Sequence, residues 1–375
     1  MRKLTIAGRL LLGNTLVPGS ITIAGDRIAE VRRGPDTDQK ADLTADIVAP
    51  GLIDLQVNGG FGVEVGADPA AILTLAQRLP EAGVTAFLPT LITSPAAFYP
   101  RVFDAVRAAG TPDGAEPLGL HLEGPFLSPR RVGAHKLDLI ESADDTLFDA
   151  LLEATCVRLV TLAPEHPGAA VRIRRLRERG IVASLGHADA TYEQFVSGVD
   201  AGATMATHLY NAMSPFGHRA PGAIGAGLVD DRVTVGLIAD GVHSHPASLQ
   251  LAVRAKGADR IALVSDIMPA AGMPPGVYLF GGQQVTVDGR SARLVDGTLA
   301  GSITTLDQAL RNIACWTDAT PVDALRMAGE VPARTLGLSD RGRIVPGAIA
   351  DIALFDDDLT VRVTIARGRV VYSRP

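Results

Sequence analysis

The strongest constraint on this chain is an alternation. Between Leu52 and Asp266 eight short, nearly continuous apolar runs recur: LIDLQV, TAFLPTL, LGLHLE, VRLVTLAP, IVASLGH, TMATHL, VTVGLIAD and IALVSD. Segments with a helical apolar period lie between them, among them AAILTLAQRLPEAG, PRVFDAVRAAG, DTLFDALLEAT, AVRIRRLRERG, TYEQFVSGVDAG and PASLQLAVRAKG. Runs apolar on both faces suit parallel strands covered by helices. Several of the intervening segments stop at a glycine, as helix C-termini do. Eight consecutive strand–helix units close into an α/β barrel, the (β/α)8 TIM-like fold, whose functional groups gather where the strands end. The competing arrangement is an open doubly wound sheet, but no Gly-rich dinucleotide fingerprint follows the first strand.

The flanks follow a different rule. LTIAGRLLL and SITIAGDRIAEVRRG approach strict alternation around the turn-rich GNTLVPG, and IVPGAIADIALFDDDLTVRVTIARGRVVY returns to it near the C-terminus. The expectation is a small β-sandwich domain built from both chain termini, residues 1–49 and 345–375, beside a barrel of residues 50–344. VYLFGGQQVTVDGRSARLVDGTLAGS holds Asp-Gly turns between short β runs and reads as a hairpin inserted above the barrel. With 375 residues and 47% hydrophobic content the chain can bury a large core. A net charge of -6 and a pI near 5.8 leave no basic face for nucleic acid. Met1-Arg2-Lys3 opens like a signal peptide, but Gly8-Arg9 and Gly13-Asn14 break the apolar run that follows, and no other run reaches the length of a membrane span. Cys156 and Cys315 match no metal spacing and read as small core residues in a reducing compartment. The expected setting is soluble and cytoplasmic, with neither membrane nor nucleic acid as a partner.

The chemistry starts at HLEGPFLSPRRVGAH, which offers Glu123 with His121 and His135 at the mouth of one strand. Leu118, Gly119 and Leu120 lead in and Gly124-Pro125 ends the run, so Glu123 falls at the strand's C-terminal tip. Alone, such a Glu is a surface carboxylate and a strand-end His a satisfied structural imidazole. Recurrence changes the reading. His187 ends SLGH, His208 stands in ATHLYN and Asp266 ends LVSD, so a barrel brings all four residues round one rim. A carboxylate with two neutral imidazoles is a catalytic zinc set with a position left for water. A cation there lowers the pKa of water and polarises a carbonyl, and Asp266 can carry the proton to a leaving group. The bland reading of Asp266 is a helix N-cap in SDIMPAAG. His166, after TLAPE, reads as a structural residue opening a helix; Arg130 and Arg131 read as substrate contacts or, more simply, as a mobile charged loop.

In chain order, HLEGPF with GAH, SLGHADATY, ATHLYNAM, ADGVH, LVSD and LAGS resemble the N-acetylglucosamine-6-phosphate deacetylase family of the amidohydrolase superfamily. The likeness runs from PGLIDLQVNGG to PGAIADIALFD, nearly the whole chain. The resemblance implies Glu123, His187 and His208 as ligands of one divalent metal ion, zinc with iron or manganese as alternatives. It implies Asp266 as catalytic acid and base, and His135 as hydrogen-bond donor to the acetamido carbonyl. Asn211, Ala212, Arg219 and His243 would belong to the sugar-phosphate pocket, part of which the family supplies across a homodimer interface. The implied reaction turns N-acetyl-D-glucosamine 6-phosphate into D-glucosamine 6-phosphate and acetate, in amino-sugar catabolism. Two positions depart from the pattern. Gln56-Val57-Asn58 stands where many amidohydrolases have His-x-His, and neutral amides are poor zinc ligands, which argues against a second ion. Ile267 follows Asp266 where a small residue is common. Competing substrates are N-acetylgalactosamine 6-phosphate, an N-acyl amino acid or a cyclic amide. A barrel that only binds a sugar phosphate would have lost a ligand or the base, and all four residues are present.

Overall fold

The computed structural model describes residues 3–34 and 41–374; Met1-Arg2 and most of the polar stretch after Gly34 lie outside the described residues. The eight apolar runs form parallel strands at Leu52–Val57, Val84–Ile92, Leu120–Glu123, Val157–Leu162, Val182–Leu185, Met205–Ala206, Thr234–Leu237 and Ile261–Leu263. Neighbours in sequence are neighbours in the sheet. A parallel bridge between Val57 and Ile267 joins the last strand to the first. There the Asp266 N–H donates to Gln56 O and the Asn58 N–H to Ile267 O, each at 2.9 Å. The ring is therefore a closed (β/α)8 barrel. Its first two strands are buried at every position, because helices cover the outside while side chains fill the inside.

The outer layer obeys the helical periods and caps written in the sequence. In Tyr192–Ala201, for example, Thr191 and Gln194 form a capping box and Phe195 and Val199 face the core. The sixth strand is followed by a helix that periodicity does not reveal, Gly222–Val229. In GAIGAGLV every residue but the last is buried, so there is no polar face to set a period. Its glycines permit the close approach: a Cβ on Gly225 would stand 2.4 Å from Pro221 and one on Gly227 3.0 Å from Leu209.

Both chain ends build one seven-stranded sheet, in the order Arg369–Ser373, Val361–Ala366, Ile352–Phe355, Leu43–Pro50, Lys3–Leu12, Thr15–Ala24, Arg27–Arg33. The edge strand folds back, with the Ile28 N–H donating to Ala348 O at 2.9 Å. This encloses a separate core that includes Ile6, Leu10, Ile21, Ile28, Val48, Ile352 and Ile365. The small β domain expected from both termini is thus a sheet wrapped over its own apolar face. A buried ion cluster ties it to the barrel: Arg341 pairs with Asp351 and Glu116, and Arg367 reaches Glu116 at 2.9 Å.

The insert after the eighth strand has three strands where the sequence suggests a hairpin: Gly276–Phe280, Gln283–Val287 and Ala292–Leu294. The cysteine reading also needs correction. Cys156 is half-buried and Cys315 is exposed, because the helix Leu306–Trp316 buries Leu306, Ala309, Leu310 and Ile313 and turns position 315 outward. No helix among the described residues is long and apolar enough to cross a membrane.

Candidate active site

Glu123 closes the third barrel strand and points inward, into the mouth of the barrel. Side chains two apart on a strand share a face, so His121 points inward as well, one layer deeper. It is bonded to Leu55 O at 3.1 Å and Thr161 Oγ1 at 2.8 Å. The structure therefore places His121 in the barrel interior and not at the mouth, and burial drives its pKa down to about 4.

At the mouth, three nitrogens converge on one carboxylate oxygen. Glu123 Oε1 lies 2.9 Å from His208 Nε2, 3.2 Å from His187 Nε2 and 3.0 Å from Gln56 Nε2. Backbone geometry aims these groups. His187, His208 and Asp266 have φ of 47°, 28° and 51°, a left-handed turn taken where each apolar run ends. Such strain costs about 1–3 kcal/mol per residue and persists only where surrounding structure enforces it. Gly133 supplies room, since a Cβ there would stand 2.9 Å from His187 Cε1. His187 Nδ1 is bonded to Arg131 O at 2.8 Å.

Asp266 faces the same cavity, a space of about 350 Å³ also lined by His135, Asn211, Ala212 and His243. Asn58 Nδ2 donates to Asp266 Oδ1 at 2.7 Å. Burial, reinforced by the Glu123 charge, pushes the Asp266 carboxyl up to about 6. Burial also opposes the charge on Glu123, yet the bonds from His187 and His208 hold its carboxyl well below the usual range. His135 is driven down to about 3 by burial and by the neighbouring His187.

The arginines differ in where they stand. Arg130 and Arg131 line the cavity and are pinned by Asp189, at 3.1 and 2.8 Å, rather than forming a free loop. Arg219, grouped by the sequence with the pocket, is exposed and lies outside this cavity wall. The 214–221 loop carries it outward. His166 is bonded to Arg172 Nη1 at 3.0 Å just before the helix Ala169–Glu178, as a structural residue would be. Sequence reasoning missed Asp240, which bonds His243 Nδ1 at 2.7 Å, and Thr93, whose hydroxyl lies 2.8 Å from His135 Nδ1. Thr93 had a signal: it is a polar residue directly after an apolar strand, the same pattern that marks Glu123 and Asp266.

The donor set fits a divalent cation. In a tetrahedral zinc site with bonds of about 2.0–2.1 Å, donors stand about 3.3 Å apart, close to the 2.9 and 3.2 Å from Glu123 Oε1 to the two imidazoles. Glu123, His135 and His187 form a group whose ligand atoms all lie within 4.8 Å of one another, and His208 joins it through Glu123 Oε1. Two triads can be drawn from it, sharing Glu123 and His187 and differing in the third imidazole.

A closed barrel with a buried carboxylate–imidazole cluster and an acid of raised pKa at its C-terminal mouth defines the class. Residues 47–371 match the Amidohydrolase family, and the chain belongs to it. The chain is 42% identical to the N-acetylglucosamine-6-phosphate deacetylase of Bacillus subtilis over 336 residues, covering 87% of this chain and 85% of that protein. It is 38% identical to the N-acetylgalactosamine-6-phosphate deacetylase of Escherichia coli, covering 87% and 88% of the two chains. Among solved structures, an aspartate-to-alanine mutant of the Mycobacterium smegmatis N-acetyl-D-glucosamine-6-phosphate deacetylase, in complex with N-acetyl-D-glucosamine-6-phosphate, matches with a TM-score of 0.91 at 35% identity over 100% of both chains.

Proposed function

We propose that the protein is a hydrolase converting N-acetyl-D-glucosamine 6-phosphate to D-glucosamine 6-phosphate and acetate, in amino-sugar catabolism. The observation that carries this reading is the meeting of His187 and His208 on Glu123 Oε1, in a cavity that also holds Asp266. Its likeness to a relative solved with that sugar phosphate supports the choice of substrate.

Glu123, His187 and His208 are the proposed ligands of one divalent cation, zinc by donor type with iron or manganese as alternatives, which when bound lowers the pKa of water and polarises a carbonyl. Asp266 takes the proton of the attacking water and returns it to the amine as the amide C–N bond breaks and a C–O bond forms. Asn58 holds Asp266 Oδ1 during this exchange. His135 donates a hydrogen bond to the acetamido oxygen, where negative charge develops. Asn211, Ala212 and His243 hold the sugar from the cavity wall. Arg219, exposed on its loop, is assigned to the phosphate across a homodimer interface. In this scheme residues 50–344 are the hydrolase barrel, and residues 1–49 and 345–375 the small domain. Two unpaired cysteines suit a cytoplasmic setting.

The test is acetate release by zinc-loaded protein from N-acetylglucosamine 6-phosphate, its galacto epimer and unphosphorylated N-acetylglucosamine. Turnover of the first, with at least a hundredfold lower kcat/KM without phosphate, is the expected result. Absence of acetate from both phosphorylated sugars sinks the proposal. Preference for the epimer moves the substrate to the galacto series, as in the Escherichia coli relative.

A further inference from the structure

We infer that Thr93 is a positioning residue that fixes which ring nitrogen of His135 carries the proton, making His135 a hydrogen-bond donor to the site rather than a cation ligand. The kinetic consequence rests on the deacetylase reading; the tautomer rests on geometry alone.

A neutral imidazole has one N–H, and the partner of one nitrogen decides what the other can do. His187 shows one outcome. Its Nδ1 lies 2.8 Å from Arg131 O, a carbonyl that can only accept. In the neutral ring the proton therefore sits on Nδ1, which leaves Nε2, 3.2 Å from Glu123 Oε1, free to serve as a ligand when a cation is bound. His135 shows the opposite outcome. Its Nδ1 lies 3.2 Å from the backbone nitrogen of Thr93, whose N–H can only donate. A proton on Nδ1 would point into that N–H, so Nδ1 is bare and Nε2 carries the hydrogen.

The Thr93 hydroxyl reinforces this arrangement. It lies 2.8 Å from His135 Nδ1 and 3.4 Å from Glu123 O, so its single proton goes to the nearer, bare nitrogen. The side chain has little freedom to do otherwise. Thr93 is 4% exposed, and Gly124 in HLEGPF leaves the space it fills: a Cβ there would stand 2.3 Å from Thr93 Oγ1. With Nε2 protonated, His135 cannot lend that nitrogen to a cation. Of the two candidate triads, the one completed by His208 is then the ligand set, and His135 keeps an N–H pointed into the cavity.

The experiment is nitrogen-15 NMR of histidine-labelled, zinc-loaded protein, with the His135 signals identified by their loss in His135→Gln. It is paired with kinetics and zinc content of Thr93→Val and Thr93→Ser. The expected wild-type spectrum shows His135 protonated at Nε2. Thr93→Val keeps the shape and the backbone N–H but loses the hydroxyl. It is expected to lower kcat on N-acetylglucosamine 6-phosphate about tenfold or more, with KM changed less than about threefold and zinc per chain unchanged. Thr93→Ser is expected to restore kcat to within about threefold. A proton on Nδ1, wild-type kcat in Thr93→Val, or zinc loss in step with activity loss each overturns the inference. If Thr93→Val does not fold, the wild-type spectrum and the serine variant still decide. If the wild type releases no acetate while His135 shows the Nε2 proton, the deacetylase reading fails and the tautomer assignment stands.

Discussion

Asp54 makes stability depend on pH in a direction opposite to most carboxylates. It lies wholly buried in the first barrel strand, with Oδ1 accepting the N–H groups of Gln56 and Ser265, each at 3.2 Å. Oδ2 has no partner among the described residues. Burial, opposed by the bonds from Ser265 and Gln56 and reinforced by the Asp266 charge, pushes its carboxyl from 3.8 up to about 7. Because the folded value exceeds the unfolded one, between about pH 4 and 7 the folded state holds a proton that the unfolded chain has released. The stabilisation is full below that window and is lost as pH rises through it. At about 1.4 kcal/mol per unit over roughly three units, the loss is about 4 kcal/mol. An unfolding entropy of about 2.1 cal/mol/K per residue over 375 residues converts this to about 5 °C in Tm. Asp54→Asn keeps the acceptor oxygen and stays neutral at every pH. The Tm difference between variant and wild type is therefore expected to grow by about 5 °C from pH 4 to pH 8. Circular dichroism melts of chelator-treated protein measure it without the pH dependence of cation binding. A difference constant to within about 1 °C across that range would refute the reasoning.

Three further outcomes follow from the same structure. Asp266→Asn is expected to cut kcat by about 10²–10⁴-fold while sugar-phosphate affinity stays within about threefold, and a kcat within about threefold of wild type counts against the assignment. Gly133→Ala puts a Cβ 2.9 Å from His187 Cε1 at a left-handed φ of 60°, so zinc affinity measured against a competing chelator drops about 10–100-fold; unchanged affinity removes His187 from the ligand set. Arg341→Met strips the buried Asp351 of its guanidinium and costs about 3–5 kcal/mol at pH 8; because burial pushes the Asp351 carboxyl up to about 6, protonation relieves part of that cost at pH 5, and equal losses at both pH values contradict this account.

What the sequence showed and hid follows a physical pattern. Strands buried on both faces announce themselves as apolar runs, and a polar residue at the end of such a run has nowhere to go but the mouth, which is why Glu123, His187, His208 and Asp266 were legible. His121 was misplaced because inward-facing residues of one strand differ in depth, and depth leaves no mark in composition. The helix Gly222–Val229 was hidden by its own burial. The roles of Asp189, Asp240 and Thr93 come from contacts between different loops or within one tight turn. The motif does not tell that Arg219 stands exposed outside this chain's own cavity, because that depends on the path of its loop.

The joint between the first and last barrel strands has a bearing on how activity arises during synthesis. Glu123, His187 and His208 all precede residue 209, whereas Asp266 is fastened to Gln56 and Asn58, more than 200 positions upstream. An emerging chain therefore carries all three proposed ligands well before it carries the proposed proton-transfer group. On the proposed roles, closure of the ring between the first and last strands is what brings the proposed proton-transfer group to the proposed ligands.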